Sequence, residues 1–202
     1  TYSLNRGFQS FKQPGSSIKP LVIYTPALEE GYDANSTLTE IDVKAAKKST
    51  SEKISKMSGK KMSLRYAVED SKNGCAYSLY NIITPKVGLS YIENMNFSKI
   101  VQQDYTLSSG LGGLHHGTNT VEMANAYSTL ENHGEYRQAD CISSILDASG
   151  NEIYEEPESK MVYTRSASDQ MTDILEGVLN SSAGTAKGLK WSSASDVAAA
   201  AK

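Results

Sequence analysis

Two side chains that could do chemistry together, Ser16 and Lys19, stand in the stretch Gln13-Pro14-Gly15-Ser16-Ser17-Ile18-Lys19-Pro20. Residues three apart on a helix share one face, so the Lys19 amine can meet the Ser16 hydroxyl. A serine hydroxyl is a weak nucleophile at its own pKa, and a neutral lysine amine can activate it as a base. Burial or a neighbouring cation must keep that amine partly neutral. The spacing therefore predicts nucleophilic catalysis, with Ser16 as nucleophile and Lys19 as its base.

The spacing alone is common, because Ser58-Gly59-Lys60-Lys61 satisfies it too and a solvated helix face needs no chemistry to explain it. Ser16 follows Pro14-Gly15, which permits a sharp turn, and precedes an apolar stretch over residues 21–31 that is typical of a helix closed by glycine. Ser58 lies instead in a polar, lysine-rich run. The context favours Ser16, which we expect near a helix N-terminus, where free N–H groups favour an oxyanion on a bound substrate.

Length and composition exclude several classes of protein. The chain of 202 residues could hold one large domain or two small ones, and 39% hydrophobic with 21% charged residues is ordinary for a globular protein. The net charge of −3, without a basic stripe, argues against nucleic acid as a partner. No apolar run approaches a membrane span, and the start at Thr1-Tyr2-Ser3 suggests a piece of a longer chain.

Other residues that could bind a ligand have simpler explanations. The glycine-rich run over residues 107–114 lacks the final Gly-Lys-Ser/Thr of a phosphate-binding loop. The adjacent His115 and His116 are more typical of a surface loop than of a metal site. Cys75 and Cys141 follow no metal-ligand spacing and are interpreted as a free pair. We therefore predict no metal and no cofactor.

Hydrophobic periodicity predicts a mostly helical chain with few strands. A helix over residues 17–30 should be kinked at Pro26, which removes the bond to Val22. Residues 37–43 are a candidate strand, and residues 44–61 are expected to form an exposed, mobile loop. Further helices are predicted from about 62 to 70, 121 to 133 and 166 to 179, with an apolar stretch over residues 76–83 and a hairpin around residues 147–151.

Three features stand in one order along the chain: Ser16-x-x-Lys19, Ser71-x-Asn73, and Lys202 preceded by small residues. This set resembles the penicilloyl serine transferases, and within them the transpeptidase domain of class A, bifunctional penicillin-binding proteins. The likeness covers nearly the whole chain. Its further motifs are Asn5-Arg6, Ser63-Leu64-Arg65-Tyr66-Ala67, Leu111-Gly112-Gly113, Val121-Glu122-Met123-Ala124-Asn125-Ala126-Tyr127, Asn132-His133-Gly134, Asp147-Ala148-Ser149-Gly150 and Gly184-Thr185-Ala186.

The resemblance implies a role for each motif residue. Ser16 is similar to the acylated nucleophile of that family and Lys19 to its general base, while Ser71 would pass the proton to the leaving amine. Asn73 would hold the substrate amide. Lys202 looks like the first residue of the Lys-Thr-Gly motif, on a strand that edges the site, where its ammonium would lower the pKa of Lys19 and attract a substrate carboxylate.

Two of these assignments have alternatives within the sequence. The spacing of Ser71 and Asn73 recurs at Ser3-Leu4-Asn5 and Ser149-Gly150-Asn151, so Ser71 is chosen for its place after a helix and its order in the chain. Lys202 could be an ordinary lysine, since the sequence ends before a Thr-Gly pair could follow it.

The resemblance also implies a fold and its missing parts. We expect an α+β, mostly helical fragment, in which residues 1–202 form the central part of a transpeptidase domain. In the family, the antiparallel sheet beside the site is built from strands before the nucleophile helix and after the Lys-Thr-Gly strand. Those strands would come from the remainder of the same polypeptide, as a second chain or a missing segment.

The expected function is that of a peptidoglycan D,D-transpeptidase, which cross-links stem peptides through a serine acyl-enzyme and is inhibited by β-lactams. The expected location is the extracytoplasmic face of the bacterial cell membrane, with an anchoring segment outside this chain. A serine β-lactamase or D,D-carboxypeptidase is an alternative, although no convincing Glu-x-x-x-Asn motif for deacylation is found. A non-catalytic β-lactam sensor or scaffold is a second alternative.

Overall fold

The segment that carries Ser16 changes its helical geometry twice in the computed structural model, which describes residues 3–189 and 199–202. Residues 15–29, which we call the serine segment, consist of a 3₁₀ turn Gly15–Ile18, a π-helical turn Pro20–Tyr24 and the α-helix α1, Thr25–Glu29. The predicted single helix kinked at Pro26 is therefore wrong in detail. Pro26 lies in the first turn of α1, directly after the π-helical turn.

The remaining elements place the described part of the chain in the α+β class, with helices dominant, as the sequence predicted. Two small antiparallel sheets are present: β1 pairs with β2 from Thr37↔Ser63 to Glu40↔Lys60, and β3 pairs with β4. The elements in chain order are β1 Thr37–Glu40, α2 Val43–Ala46, α3 Ser51–Ser55, β2 Lys60–Ser63, α4 Leu64–Glu69, α5 Asn73–Ile83, α6 Pro85–Asn94, α7 Thr120–Glu131, β3 Glu135–Tyr136, β4 Lys160–Met161 and α8 Arg165–Asn180.

The prediction of an exposed, mobile loop over residues 44–61 is wrong, because this stretch contains α2, α3 and the start of β2. Two apolar side chains are buried beneath its charged surface. Ala46 and Ile54 are buried against Ile41 and Tyr77 in a small cluster beside the main core. Two buried side chains in eighteen residues leave too weak a period for sequence analysis to detect.

The predicted helices over residues 121–133 and 166–179 are confirmed as α7 and α8. Asn119 and Glu122 form a capping box at the start of α7, and the Thr164 hydroxyl accepts a hydrogen bond from Ala167 N–H at the start of α8. The predicted hairpin is present as a tight turn with a single bridge, Leu146↔Glu152. Its flanking residues do not extend into strands.

The serine segment lies at the centre of the main hydrophobic core. Ile18 and residues 21–24 have no exposed surface, so this part of the segment is surrounded by other elements. It packs against α5, α6 and α8, and those helices close the core around it. No helix in the described ranges is long and apolar enough to cross a membrane. The core therefore fixes the backbone on which Ser16 and Lys19 are mounted.

Candidate active site

The amine of Lys19 is buried and makes three hydrogen bonds. Its Nζ donates to Asn73 Oδ1 at 2.6 Å, to the Ser71 carbonyl oxygen at 3.0 Å and to Ser71 Oγ at 3.4 Å. The whole Lys19 residue is 0% exposed, although lysine is rarely fully buried unless it is paired. The structure thus joins three of the predicted site residues, which are 52 and 54 positions apart in sequence, at one nitrogen atom.

Burial lowers the pKa of Lys19 from its ordinary value of 10.5 to about 8, and the nearby Cys75 acts against this shift. Removal from water disfavours the charged form of an amine. Cys75 is itself buried, which raises the pKa of its thiol to about 11. A substantial share of Lys19 side chains is therefore neutral in mildly alkaline solution, as a general base requires.

Ser71 lies in a tight turn between α4 and α5. Its φ is +55°, a left-handed conformation that is uncommon for serine and that turns its side chain towards Lys19. The turn is closed by the hydrogen bonds from Ser71 N–H to Val68 O, 3.1 Å, and from Lys72 N–H to Ala67 O, 2.9 Å. Lys72 Nζ also lies 2.9 Å from Asp70 Oδ2. The position of Ser71 after a helix, used to select it from the sequence, is confirmed.

Ser16 is held beside Lys19 by the backbone rather than by its side chain. The N–H of Lys19 donates to the Ser16 carbonyl oxygen, and the 3₁₀ geometry stacks residues i and i+3 in line. Within the described ranges, Ser16 Oγ makes no hydrogen bond, so the predicted direct contact with the Lys19 amine is not formed. Lys19 Nζ instead bonds to Ser71 and Asn73. In enzymes, contacts of this kind commonly tighten only when substrate binds.

A glycine-rich loop supports the turn that carries Ser16, a role that sequence analysis missed. A Cβ atom on Gly112, whose φ is +86°, would lie 2.3 Å from the nitrogen and 2.4 Å from the Cα of Gly15. Only glycine therefore fits at this contact. The Gln13 side-chain amide pairs with the backbone of Leu114, accepting from its N–H at 2.8 Å and donating to its carbonyl oxygen. The adjacent Gly112-Gly113 pair was the available signal for such a close approach.

Lys202 lies next to the turn that carries Ser71. Its Nζ donates to the Val68 carbonyl oxygen, which also accepts the Ser71 N–H. Burial and the charge of Lys19 lower the pKa of Lys202 to about 7, while Asp70 acts against the shift. The predicted strand is not found at the described residues 199–202, which have no regular secondary structure. Residues 190–198, which include some of the small residues before Lys202, lie outside the described ranges.

The remaining candidates for ligand binding are two histidines and two cysteines. His115 and His116 are exposed in a loop. Cys75 is buried and Cys141 exposed, and both are free thiols. Among the described residues, no group of three or more His, Cys, Asp or Glu side chains could hold a metal ion. The site combines a hydroxyl on Ser16, a partly neutral amine on Lys19 and the polar side chains of Ser71 and Asn73. This combination suits acyl transfer.

Comparison with known proteins gives a consistent family. The model of the penicillin-binding protein transpeptidase domain matches residues 2–202. The chain is 29% identical to penicillin-binding protein 4 of Bacillus subtilis over 91% of its own length and 30% of that protein. It is 32% identical to penicillin-binding protein 2a of Streptococcus pneumoniae over 90% of its own length and 25% of that protein. The chain thus spans about a quarter to a third of these relatives.

A solved structure has a similar fold. The D,D-transpeptidase domain of a peptidoglycan glycosyltransferase from Eggerthella lenta superposes with a TM-score of 0.64 at 17% identity. The match covers 88% of this chain and 51% of that chain, so the shared fold is about half of the larger domain.

Proposed function

Because the chain belongs to the family of penicillin-binding protein transpeptidase domains, we propose that it is the central part of a peptidoglycan D,D-transpeptidase. The observation that supports this most directly is the buried Lys19 amine, with its pKa lowered to about 8 and its bonds to Ser71 and Asn73. A buried lysine whose bonded acceptors are all neutral is costly for folding, which favours a functional reason for its presence.

In the proposed acylation step, Ser16 Oγ attacks the carbonyl carbon of the penultimate D-Ala of a stem peptide. The neutral Lys19 amine takes the hydroxyl proton as the new ester C–O bond forms. The peptide C–N bond then breaks, and Ser71 passes the proton to the departing amine of the terminal D-Ala. Asn73 holds the substrate amide beside the reacting carbonyl. An amine of a neighbouring stem peptide attacks the ester in turn, which releases Ser16 and completes the cross-link.

Two further parts of the proposal concern the substrate carboxylate and β-lactams. Lys202 lies close enough to Lys19 for their charges to interact, and because its pKa is lowered to about 7 it would bind the carboxylate of the stem peptide mainly by donating hydrogen bonds. β-Lactams resemble the D-Ala-D-Ala end and would acylate Ser16. The site would lie on the extracytoplasmic face of the bacterial cell membrane, with the anchor and the remaining strands supplied by other parts of the polypeptide.

Labelling with a fluorescent penicillin tests the nucleophile. The intact protein should acquire one label at Ser16, located by mass spectrometry of the digested peptide, and Ser16→Ala should abolish labelling. Ser58→Ala is the matched control, because Ser58 and Lys61 have the same spacing and are both exposed, Ser58 just before β2 and Lys61 within it. Labelling that persists in Ser16→Ala, or that disappears in Ser58→Ala, would move the nucleophile elsewhere.

The fate of the label separates the alternatives. A transpeptidase releases penicillin slowly and transfers the stem peptide to an amine acceptor in an assay with a synthetic stem peptide. Rapid turnover of penicillin would indicate a β-lactamase. Release of D-Ala without transfer would indicate a carboxypeptidase, and acylation without either reaction would indicate a sensor.

A further inference from the structure

Each of the two prolines in the serine segment removes a backbone donor that the local helix type requires. In a 3₁₀ turn, the carbonyl of residue i accepts from the N–H of residue i+3. For Ser17 that residue is Pro20, which has no N–H. A buried carbonyl without a partner costs free energy comparable to a lost hydrogen bond. The sequence thus leaves a backbone acceptor short of a donor directly between Ser16 and Lys19.

The same deficit recurs one turn later. The π-helical turn bonds the N–H of Thr25 to the carbonyl of Pro20, five residues back. The next bond of this type would join residue 26 to Leu21, but residue 26 is proline. The carbonyl of Leu21 is therefore also short of a donor, in a part of the segment that has no exposed surface.

A buried tyrosine hydroxyl fills each deficit. Tyr127 Oη, from α7, donates to the Ser17 carbonyl oxygen at 2.8 Å. Tyr163 Oη, from the chain just before α8, donates to the Leu21 carbonyl oxygen at 2.6 Å. Burial raises the pKa of both phenols above the ordinary value, so both remain protonated donors over the working pH range.

We propose that Tyr127 is a positioning residue for the Ser16 and Lys19 pair, whereas Tyr163 stabilises the deeper part of the serine segment. The carbonyl bound by Tyr127 belongs to the residue that follows Ser16 and precedes Lys19 by two positions. Fixing this peptide group sets the orientation of the 3₁₀ turn and hence the approach of the Ser16 hydroxyl to the Lys19 amine. This inference rests on the proposed function of Ser16, and it adds α7 to the elements that shape the site.

Comparison of Tyr127→Phe with Tyr163→Phe tests the proposal. Both substitutions remove one buried hydroxyl bonded to one carbonyl, so both should lower the melting temperature. Tyr127→Phe should slow acylation by fluorescent penicillin about tenfold, and Tyr163→Phe should slow it less than about twofold. The reason is that only the carbonyl bound by Tyr127 lies between the nucleophile and the base. With saturating reagent and time, both variants should still reach wild-type labelling at Ser16.

A second substitution provides a specific rescue. Pro20→Ala restores an N–H three residues after Ser17, which can supply the missing 3₁₀ bond. The double variant Pro20→Ala/Tyr127→Phe should therefore recover most of the acylation rate, whereas Pro20→Ala should not rescue Tyr163→Phe. If Tyr127→Phe fails to fold, folding and acylation by the double variant test the same bond.

Three outcomes would overturn the inference: equal slowing by the two tyrosine variants, an unchanged rate in Tyr127→Phe, or no rescue by Pro20→Ala. The pH dependence gives an additional readout, since a displaced Lys19 should shift the pH midpoint of acylation in Tyr127→Phe and not in Tyr163→Phe. Failure of the proposed function is distinguishable, because the wild-type protein would then carry no penicillin label at Ser16.

Discussion

At the scale of single residues, Lys19 is a costly side chain to bury. Its amine has left water and bonds to three oxygen acceptors, none of which carries a full negative charge. The lowered pKa of this amine reflects that cost, because a pKa difference of one between folded and unfolded protein corresponds to about 1.4 kcal/mol. The same lowering supplies the neutral amine that the proposed acylation needs, so stability and the proposed function oppose each other at this position.

We predict that Lys19→Met abolishes penicillin labelling yet raises the free energy of unfolding at pH 7 by about 1 kcal/mol, after the lost hydrogen bonds are deducted. Between about pH 8, the folded pKa, and 10.5, the ordinary value, unfolded wild-type protein binds more protons at this lysine than folded protein does. Wild-type stability from Lys19 therefore rises with pH across this window, and the advantage of the variant shrinks. Denaturant unfolding from pH 7 to 10.5 measures both effects.

The control for this prediction is Lys61→Met, at an exposed lysine of β2 that has the same spacing from Ser58. It should leave the stability difference from wild type small and independent of pH. A Lys19→Met protein that is less stable than wild type at pH 7 would show that burying this amine does not carry the free-energy cost that we infer.

At the scale of elements, the turn at Ser16 depends on two backbones that approach closely. The loop at Gly112 lies against Gly15, and the Gln13 amide fastens the neighbouring chain to Leu114. These contacts leave no room for a side chain at Gly112. The glycine-rich loop thus packs against the serine segment and supports it. This structural role is distinct from phosphate binding.

Gly112→Ala is expected to destabilise the protein by about 3 kcal/mol and to slow penicillin labelling, because the new methyl group must displace the Gly15 backbone. Gly150→Ala is the matched control: Gly150 has the same φ of +86°, but its Cβ would meet nothing within 4 Å. That control should cost only the strain of a left-handed conformation, about 1 kcal/mol, with labelling unchanged. Equal losses in the two variants would remove the steric argument.

At the scale of the whole molecule, the described residues pack into a main core and a small satellite. The main core surrounds the serine segment and includes the buried face of α8, whereas the satellite consists of Ile41, Ala46, Ile54 and Tyr77. Helix α5 joins them, because Tyr77 faces the satellite and Cys75 and Tyr80 face the main core. The small apolar area of the satellite implies a lower local stability for residues 41–57.

Truncating a buried side chain should therefore destabilise the whole protein when it lies in the main core, and mainly residues 41–57 when it lies in the satellite. Ile174→Ala, at a fully buried position of α8, is expected to cost about 3 to 4 kcal/mol and to lower the global melting temperature. Ile54→Ala should accelerate amide hydrogen exchange over residues 41–57 while moving the global transition little. Exchange measured by mass spectrometry decides between this and a single cooperative unit, in which both variants would accelerate exchange everywhere.

The sequence by itself determined the family and the helical character, and it predicted the site residues. Helices α7 and α8 followed from apolar periods and capping residues, which act within a few positions along the chain. The order of Ser16-x-x-Lys19, Ser71-x-Asn73 and the glycine-rich loop identified the transpeptidase domain because many short motifs had to agree.

Only the tertiary structure decided how those residues meet. Lys19 bonds to Ser71 and Asn73 rather than to Ser16 because the turn before α5 lies against the serine segment. Local propensity does not encode such packing. The tyrosine partners of the Ser17 and Leu21 carbonyls lie 110 and 142 residues away. A proline in the sequence indicates a missing donor, but which side chain replaces it is determined by the folded core.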